Sequence, residues 1–375
     1  MIYFDNSATT QVCEESAEKV MYMMRECWGN PSSLHSFGYK AEKELSAARA
    51  AVAAKLSCEP REIYFTSGGT EANNLAVIGG AEAKKRFGNR VVTTAIEHAS
   101  VLSAMEQLEK QGFEVIYLQP DEMGNISESA ISEAINNKTI LVSMMSVNNE
   151  TGAILPLKAV ASAMKRAKAP ALFHVDNVQG FGKLKLQPKK LGINLMTVSS
   201  HKVHGPKGAG ALFMAQSTRI SPRQFGGGQE KAFRPGTEAV PAICGFGAAV
   251  KALPGEMAEE AVIREIRDAL KAELQAIPEI SINSPEDALP YILNFSCGKI
   301  RSETMLHFLE TKEIFVSSGS ACAGGKASHV LHAMGLPAER IDSSVRVSFS
   351  RYNTPDQVAH FIDALKEGLA TLAHR

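Results

Sequence analysis

The stretch EIYFTSGGTEANNLAVIGGAEAKK, residues 62–85, places a short apolar run, a glycine turn and a helical run in direct succession. The alternation continues to about residue 215, with the strand-like runs RVVTT, FEVIYL, TILVSMM, ALFHVD, INLMTVSS and GAGALFM. The runs SVLSAMEQLEKQ and LKAVASAMKRAK between them have helical character. This pattern predicts an α/β fold with a mostly parallel sheet between helices. Ligands of such sheets bind at the carboxyl ends of the strands.

The last third of the chain has a different pattern. A charged helical run, EMAEEAVIREIRDALKAELQAI, covers residues 256–277, and short strand-like runs and a second helical run, DQVAHFIDALKEGLATLA, follow it. We expect a large α/β domain over residues 15–255. Residues 1–14 and 256–375 are expected to form a smaller α+β domain, with the boundary near Leu253–Gly255.

The composition limits the possible partners. The 375 residues include 40 Lys and Arg against 40 Asp and Glu, so no net charge attracts nucleic acid or an anionic membrane. The opening MIYFDNSATT does not read as a secretory signal, and no run approaches the roughly 20 apolar residues that span a bilayer. We therefore expect a cytoplasmic protein with no direct nucleic-acid partner and no membrane partner.

The cysteines are scattered along the chain without a CxxC pair, at positions 13, 27, 58, 244, 297 and 322. This spacing indicates neither a zinc ribbon nor a disulfide framework, so we expect reduced thiols, most of them buried. Cys322 is distinctive because it lies among small residues in SSGSACAGGK, residues 317–326. The glycines around it allow the backbone to change conformation at little cost. A buried structural cysteine is the alternative.

The glycine turn after EIYF is suited to binding an anion. In TSGGT, residues 66–70, the glycines direct backbone N–H groups outward just before a helix begins. The turn is not the nucleotide-binding P-loop, because no lysine follows the glycines. A capped helix without a ligand is the alternative interpretation.

Other strand ends carry groups suited to binding or proton transfer. They are His98 after VVTTAI, Asn148 and Asn149 after ILVSMMSV, Asp176 and Gln179 after ALFHV, and Ser199, Ser200, His201 and Lys202 after INLMTV. A carboxylate such as Asp176 at the end of an apolar strand requires a cationic partner. Lys202 is a candidate Schiff-base amine, with a surface lysine as the alternative. His98 and the asparagines, taken singly, also fit ordinary packing and turns.

Zinc is a weaker interpretation of the same region. Its candidate ligands are His174, Asp176, His201 and His204, of which two histidines are three residues apart. Lys202 would then lie as a bare cation among the ligands, and the inner end of the strand that carries His174 should be dry. We therefore expect no metal site.

One ligand accounts for these strand ends together, namely an aldehyde cofactor with a phosphate and a pyridine ring. Lys202 would hold the aldehyde as an imine, and Asp176 would pair with the protonated ring nitrogen. The Gly68–Thr70 turn would bind the phosphate. The charge of Asp176 would keep the ring protonated, so that the ring accepts electrons from a substrate carbanion.

The order of the motifs identifies a family. They are YFDNSATT, GNPSSLHSFG, FTSGGTEANNLA, EHASVL, VNNETG, HVDNVQG, SSHKVHGPKGAG, RPGTEAV, SSGSACAGG and VRVSFSRYNT. In this order they resemble the motifs of the cysteine desulfurases, which are class V aminotransferases and fold type I pyridoxal-phosphate enzymes. The resemblance covers essentially the whole chain. It implies the PLP-dependent transferase fold, pyridoxal 5'-phosphate as cofactor, L-cysteine as substrate and a homodimer as the active unit.

The resemblance implies a role for each matching position. Lys202 would bind the cofactor and move the substrate α-proton, and Arg351 would bind the substrate carboxylate. Further contacts would come from Asp176 at the ring nitrogen, Gln179 and Asn149 at the phenolic oxygen, His98 on the ring, and Gly69, Thr70, Ser199, Ser200 and His201 at the phosphate. Asn149 would also contact the substrate. Thr237 of RPGTE would reach the phosphate from the other subunit.

The resemblance gives Cys322 the central chemical role. As a thiolate it would take the sulfur of bound L-cysteine, which leaves a persulfide on the enzyme and releases L-alanine. An ordinary thiol is only slightly ionised at neutral pH, so His98 or a group of the cofactor is needed to accept its proton. A sulfur-acceptor protein, either an iron–sulfur scaffold or a thiolation enzyme, would follow. The stretch AGGKAS after Cys322 is a little shorter than in the iron–sulfur-scaffold type, which leaves the acceptor open.

Other functions share these residues. A selenocysteine lyase would use the same cofactor site, and so would a plain class V aminotransferase in which Cys322 takes no part. A sulfur-delivery or scaffold-binding protein without catalysis is an alternative of another class. The presence of Lys202, Asp176 and Arg351 argues against it.

Overall fold

The computed structural model describes residues 1–254, 256–318 and 327–373. The strands of this part of the chain are β1 (Ile2–Tyr3), β2 (Ile63–Thr66), β3 (Arg90–Thr94), β4 (Glu114–Leu118), β5 (Thr139–Ser143), β6 (Leu172–Asp176), β7 (Leu195–Ser199), β8 (Gly210–Met214), β9 (Ile280–Ile282), β10 (Ile292–Cys297), β11 (Ile314–Phe315) and β12 (Ser344–Ser348). The helices are α1 (Glu14–Arg25), α2 (Ser36–Lys55), α3 (Gly69–Lys84), α4 (Ala99–Lys110), α5 (Glu128–Ala134), α6 (Leu157–Arg166), α7 (Val240–Lys251), α8 (Glu256–Gln275), α9 (Ser302–Thr311), α10 (His329–Ala333), α11 (Ala338–Asp342) and α12 (Asp356–Thr371).

The central sheet has the strand order β2-β8-β7-β6-β5-β3-β4 within the described residues. Neighbours from β7 to β4 are parallel, whereas β8 is antiparallel to both β7 and β2. β2 therefore points in the same direction as β7, and the carboxyl ends of these strands, other than β8, lie at one edge of the sheet. The predicted α/β fold with a mostly parallel sheet is confirmed.

The inner strands are buried along their whole length. Each residue of β5, β6 and β7 is buried, and most of them are apolar, as is typical of parallel strands with helices on both faces. On one side α2 and α7 approach closely, because a Cβ at Gly247 would lie 2.5 Å from Ala48 Cα. Glycine at this position thus allows the helices to pack directly against each other.

A second set of strands lies in the C-terminal part of the chain. β12, β10 and β9 form an antiparallel sheet, and β1 pairs in parallel with β11. Single bridges from Asp5 to Ser348 and from Ser317 to Arg346 connect the two groups. Phe4 is fully buried in a hydrophobic cluster whose other members come mostly from residues 263–365. The proposed division of the chain near residue 255 stays a prediction.

Candidate active site

A cavity of about 210 Å³ lies at the edge where the parallel strands end. It is lined by Ser7, Ala8, Gly69, Thr70, Asn73, His98, Ser100, Met145, Val147, Asn149, Asp176, Val178, Gln179, Ser199, His201, Lys202 and Arg346. The structure thus brings together most of the residues that the sequence predicts as cofactor contacts. Ser200, which is also predicted at the phosphate, is fully buried and is not among the lining residues.

Lys202 reaches the cavity from a tight turn. The strand β7 ends at Ser199, and a 3-10 turn over Ser200–Lys202 follows it. The Lys202 ammonium group donates to the Ser7 carbonyl at 2.5 Å and to the Ala8 carbonyl at 2.7 Å. The N-terminal segment therefore holds the amine at the wall of the cavity.

Asp176 is the last residue of β6 and is only 5% exposed. Its Oδ2 accepts a hydrogen bond from the Asn73 amide at 2.7 Å, and its Oδ1 accepts one from the Val178 N–H at 3.0 Å. These donors fix the direction of the carboxylate. They supply no positive charge, so the carboxylate can still pair with a cation in the cavity.

His98 has a defined tautomer. Its Nδ1 accepts from the Ser100 N–H at 3.1 Å and lies 2.8 Å from the Ser100 hydroxyl, which places the ring proton on Nε2. Burial lowers the pKa of His98, Asp176 opposes this shift, and Lys202 adds to it. The imidazole is therefore neutral near pH 7. Both Asp176 and Lys202 act on His98 electrostatically, since all three line one cavity.

The site has hydrogen-bonding capacity that a polar ligand would use. Asn149 Oδ1 and Gln179 Oε1, both from residues that line the cavity, are buried and have no hydrogen-bond partner among the described residues. Backbone N–H groups at the start of α3, at Gly69 and Thr70, lie beside them. An anionic group at the turn, an amine-reactive carbonyl at Lys202 and a basic ring nitrogen at Asp176 match this set of residues, so the site fits pyridoxal phosphate.

Arg351 does not line the cavity in the described structure. Its Nη1 donates to the Ala252 carbonyl at 2.7 Å, and its guanidinium group lies 5.3 Å from the Tyr352 ring centre. The arginine at the cavity is Arg346, which is 1% exposed. Arg346 donates to Asp5 Oδ1 and to the Asn149 carbonyl, both at 2.9 Å. The substrate role of Arg351 stays a prediction that requires its side chain to turn.

One other predicted residue lies away from the residues that line this cavity, and one is not described. Thr237 is exposed and lies outside the lining residues of the described chain, as a contact to another subunit would require. Cys322 falls outside the described residues. The remaining cysteines are free thiols; Cys13, Cys27, Cys244 and Cys297 are buried, and Cys58 is partly buried.

The described residues contain no group of three or more His, Cys, Asp or Glu side chains that could hold a metal ion. His174 is fully buried between the Ser143 hydroxyl at 2.8 Å and the Thr197 hydroxyl at 3.1 Å. Burial lowers its pKa to about 3. His174, one of the three histidines considered as zinc ligands, is thus a hydrogen-bonded residue of the sheet core.

Sequence reasoning missed several residues of the site. Asn73 bridges Asp176 and the Ser100 hydroxyl, and the carbonyls of Ser7 and Ala8 bind Lys202. Arg346 could have been identified from the sequence, because it is the charged residue within the apolar strand pattern VRVSF. No sequence pattern predicts the carbonyl contacts, since they depend on how the distant N-terminal segment packs.

The comparisons with known proteins agree with this geometry. The class V aminotransferase family model matches residues 2–361. The cysteine desulfurase IscS of Clostridium botulinum (strain Hall) is 41% identical, over 97% of this chain and 93% of that protein. A structure titled NifS-like protein superposes with a TM-score of 0.93 at 35% identity, over 99% of this chain and all of that one. SspA, solved in complex with cysteine, has a TM-score of 0.83 at 32% identity, over 94% of this chain and all of that one.

No helix in the described part of the chain is long and apolar enough to cross a membrane. The family match covers nearly the whole chain, and the alignment with the Clostridium botulinum relative covers 97% of it. The chain belongs to the class V aminotransferase family, as one of its cysteine desulfurases.

Proposed function

We propose that the protein is a homodimeric cysteine desulfurase that uses pyridoxal 5'-phosphate on Lys202 and collects sulfur from L-cysteine as a persulfide on Cys322. The observation that supports this proposal best is that Lys202, Asp176 and His98 line one cavity, with the anion-binding turn of α3 beside them. When bound, pyridoxal phosphate supplies a carbonyl for the substrate amine and a ring that accepts electrons from the substrate α-carbon.

The residues of the cavity divide this work between them. Asp176, directed by Asn73 and the Val178 N–H, provides a negative charge opposite the ring nitrogen. Neutral His98 offers a flat face for the ring and a proton on Nε2. Gly69, Thr70, Ser199, Ser200 and His201 would hold the phosphate. Lys202 moves the proton at the substrate α-carbon.

Sulfur transfer is the step assigned to Cys322. Its Sγ, as a thiolate, attacks the sulfur of the bound substrate, so an S–S bond forms while the substrate Cβ–S bond breaks. The electron pair of the broken bond stays with the carbon, which takes up a proton and becomes the methyl group of L-alanine. A proton acceptor for the thiol is needed, either His98 or a group of the cofactor. His98 would have to accept this proton at Nδ1, which now faces the Ser100 N–H.

A homodimer would complete the site. Thr237 is exposed, and the family resemblance implies that it reaches the phosphate of a second copy. Large apolar side chains are also exposed, among them Trp28 at 68%, Tyr39 at 67% and Phe225 at 86%. Burying them against a second copy would remove this apolar area from water.

The sulfur would pass to an acceptor protein, either an iron–sulfur scaffold or a thiolation enzyme. A cytoplasmic location stays a prediction from the sequence. No direct role for nucleic acid or a membrane is part of the proposal, because Lys and Arg balance Asp and Glu at 40 each.

Mass spectrometry tests the persulfide directly. After incubation with L-cysteine we expect one additional sulfur atom on the peptide that contains Cys322, and none on the peptide that contains Cys58. Cys322→Ala should abolish alanine formation and keep the visible absorbance of the cofactor, whereas Cys58→Ala should preserve both.

The rival functions give different results. Undiminished alanine formation by Cys322→Ala would rule out the persulfide route. Conversion of cysteine to a 2-oxo acid that keeps its sulfur would favour a plain class V aminotransferase. Turnover of selenocysteine that persists in Cys322→Ala while cysteine turnover is lost would favour a selenocysteine lyase. A protein that takes up no cofactor at Lys202 would favour non-catalytic sulfur delivery.

A further inference from the structure

A short segment outside the cavity has an unusual backbone. Glu230, Lys231 and Ala232 follow one another with φ angles of 45°, 58° and 58°. Residues with a Cβ rarely adopt this left-handed region, and a succession of three is unfavourable unless the surroundings impose it. Such strain is concentrated where a protein has to hold a functional group in place.

A buried ion pair imposes this conformation. Arg49 of α2 donates to both carboxylate oxygens of Glu230, from Nη1 at 2.8 Å and from Nη2 at 2.6 Å. The Glu230 side chain is 3% exposed, and the Arg49 guanidinium group lies 4.7 Å from the centre of the Phe65 ring. A bidentate pair in this environment has one favourable geometry, so it fixes the position of Glu230.

The same pair covers an end of the central sheet. β2 is the end strand among the described residues, so its outward backbone groups have no partner strand there. The Phe65 N–H donates to Glu230 Oε2 at 3.0 Å, and Arg49 Nη1 donates to the Ile63 carbonyl at 2.8 Å. The ion pair takes the place of a neighbouring strand, and it attaches the strained turn to the central sheet.

The chain beyond the turn is also held, and then becomes exposed. Arg234 donates to both oxygens of Glu71 in the first turn of α3, at 2.7 and 3.1 Å. Pro235 is buried, whereas Gly236 and Thr237 are exposed. Residues 225–237, here called the arm, therefore have a fixed base and an exposed end that carries Thr237.

We propose that Arg49 and Glu230 are positioning residues for the cofactor of the other subunit, since they hold the strained turn from which the arm presents Thr237 to that subunit's phosphate. This inference rests on the proposed function, which supplies the homodimer and the cofactor. Presenting the arm in a fixed conformation reduces the entropy lost when the phosphate binds. The strain in the turn lowers the stability of the folded chain. In exchange, the fixed arm favours cofactor binding by the other subunit.

The affinity of variants of Arg49 and Glu230 for pyridoxal phosphate tests the role of this ion pair. Apo protein is titrated with pyridoxal phosphate and followed by visible absorbance, while light scattering reports the native mass. Glu230→Gln keeps the shape and volume of the side chain and removes its charge, and Arg49→Lys removes the planar fork. We expect the dissociation constant for pyridoxal phosphate to rise about tenfold in each variant, with the dimer mass unchanged.

The chain offers a matched control at the opposite end of the same sheet. Arg90 and Glu114 form a bidentate pair between β3 and β4, at 2.6 and 2.9 Å. Glu114→Gln should leave the dissociation constant within about twofold of that of the unaltered protein. Unaltered affinity in both Glu230→Gln and Arg49→Lys would overturn the inference.

Mixed dimers show which subunit the pair serves. Each mixed dimer has Lys202→Ala in one chain only, so that a single cofactor-binding amine remains. Glu230→Gln is placed on that same chain in one mixed dimer and on the other chain in the second. Affinity at the remaining amine should fall only when both substitutions are on the same chain, because the arm that serves the intact site then carries the change. Loss only when Glu230→Gln is on the chain that keeps Lys202 would overturn the inference.

The proposed function can fail separately in the same experiment. An unaltered chain that takes up no pyridoxal phosphate, or that is a monomer when loaded, would overturn the proposed function and this inference with it. Cofactor uptake by an unaltered dimer, with loss confined to the mutated chain's own site, would leave the proposed function intact and reject the inference alone.

Discussion

Burial determines the charge of Glu97, the residue before His98. Its Oε1 accepts from the Thr94 hydroxyl at 2.8 Å and from the Met145 N–H at 2.9 Å, and its Oε2 has no partner among the described residues. Burial raises the pKa of Glu97 to about 8, and the neighbouring Asp176 adds to the shift. The folded protein therefore keeps this carboxyl group neutral at pH 7, with a proton on the unpartnered oxygen.

Glu97→Gln should change how stability depends on pH. Because the folded pKa is above the unfolded pKa, the stabilising contribution of the neutral acid is complete below about pH 4.5 and is lost as the pH rises towards 8. Gln does not titrate, so the stability of the variant relative to the unaltered apo protein should increase by about 1.4 kcal/mol per pH unit in this window. Thermal unfolding at several pH values measures it.

The exposed carboxylate Glu106 on α4 provides the control for this prediction. Glu106→Gln should give a stability profile parallel to that of the unaltered protein. A parallel profile for Glu97→Gln would show that Glu97 is already ionised in the folded state, which would contradict the account of its burial.

Arg351→Lys should separate substrate binding from cofactor binding. The Arg351 guanidinium group is bound to the Ala252 carbonyl, outside the cavity, so its loss leaves the cofactor contacts in place. We expect KM for L-cysteine to rise about tenfold or more, because an ammonium group does not provide two parallel hydrogen bonds to a carboxylate. Steady-state alanine formation and a cofactor titration measure the two effects. Weakened cofactor binding with an unchanged KM would contradict the predicted role.

For single residues, the sequence predicts which residues belong to the site better than it predicts where their side chains point. Lys202 and Asp176 are predictable because a charged residue at the end of a buried strand needs a reason to be there. The position of the Arg351 side chain depends on rotamers and on the Ala252 carbonyl, which is 99 residues away in the chain. A linear pattern carries no information about such a contact.

At the C-terminal end of α6, a non-glycine residue has a backbone conformation that favours glycine. After the last turn of α6, Lys168 has a φ of 49°, and the Ala169 N–H donates back to the Met164 carbonyl at 3.1 Å. This arrangement is the usual helix termination in which glycine is preferred. Lys168 is exposed, so its side chain contributes little packing to offset the backbone strain.

Lys168→Gly should therefore stabilise the protein by about 1 kcal/mol, since glycine adopts a positive φ without strain. The control is Lys168→Ala, which retains a Cβ and should give no gain. Thermal unfolding of the apo proteins compares them. Equal stability of the Gly and Ala variants would contradict the strain assigned to this position.

The predicted strands of the central sheet are present because their apolar runs are short, β-branched and bounded by turns. The reversal of β8 is not predictable in the same way. GAGALFM has the composition of any buried strand, and its direction is set by the short 3-10 turn and the glycines that separate it from β7. Strand direction therefore depends on the connection more than on the strand.

Over the whole molecule, the N-terminal segment connects the C-terminal core to the site. Phe4 packs in the cluster of residues 263–365, the carbonyls of Ser7 and Ala8 accept hydrogen bonds from Lys202, and the Thr10 N–H donates to the His201 carbonyl at 2.9 Å. Movement of the C-terminal part would thus be transmitted to the amine. The sequence predicts that residues 1–14 join the smaller domain, but the contact with Lys202 depends on tertiary packing.

Borohydride reduction tests whether Lys202 binds the cofactor at the site that it shares with Asp176. The protein is loaded with pyridoxal phosphate, reduced, digested and analysed by mass spectrometry. We expect the pyridoxyl-phosphate label on the peptide that contains Lys202, and its loss in Lys202→Ala. Label on another lysine, or label that persists in Lys202→Ala, would contradict the account.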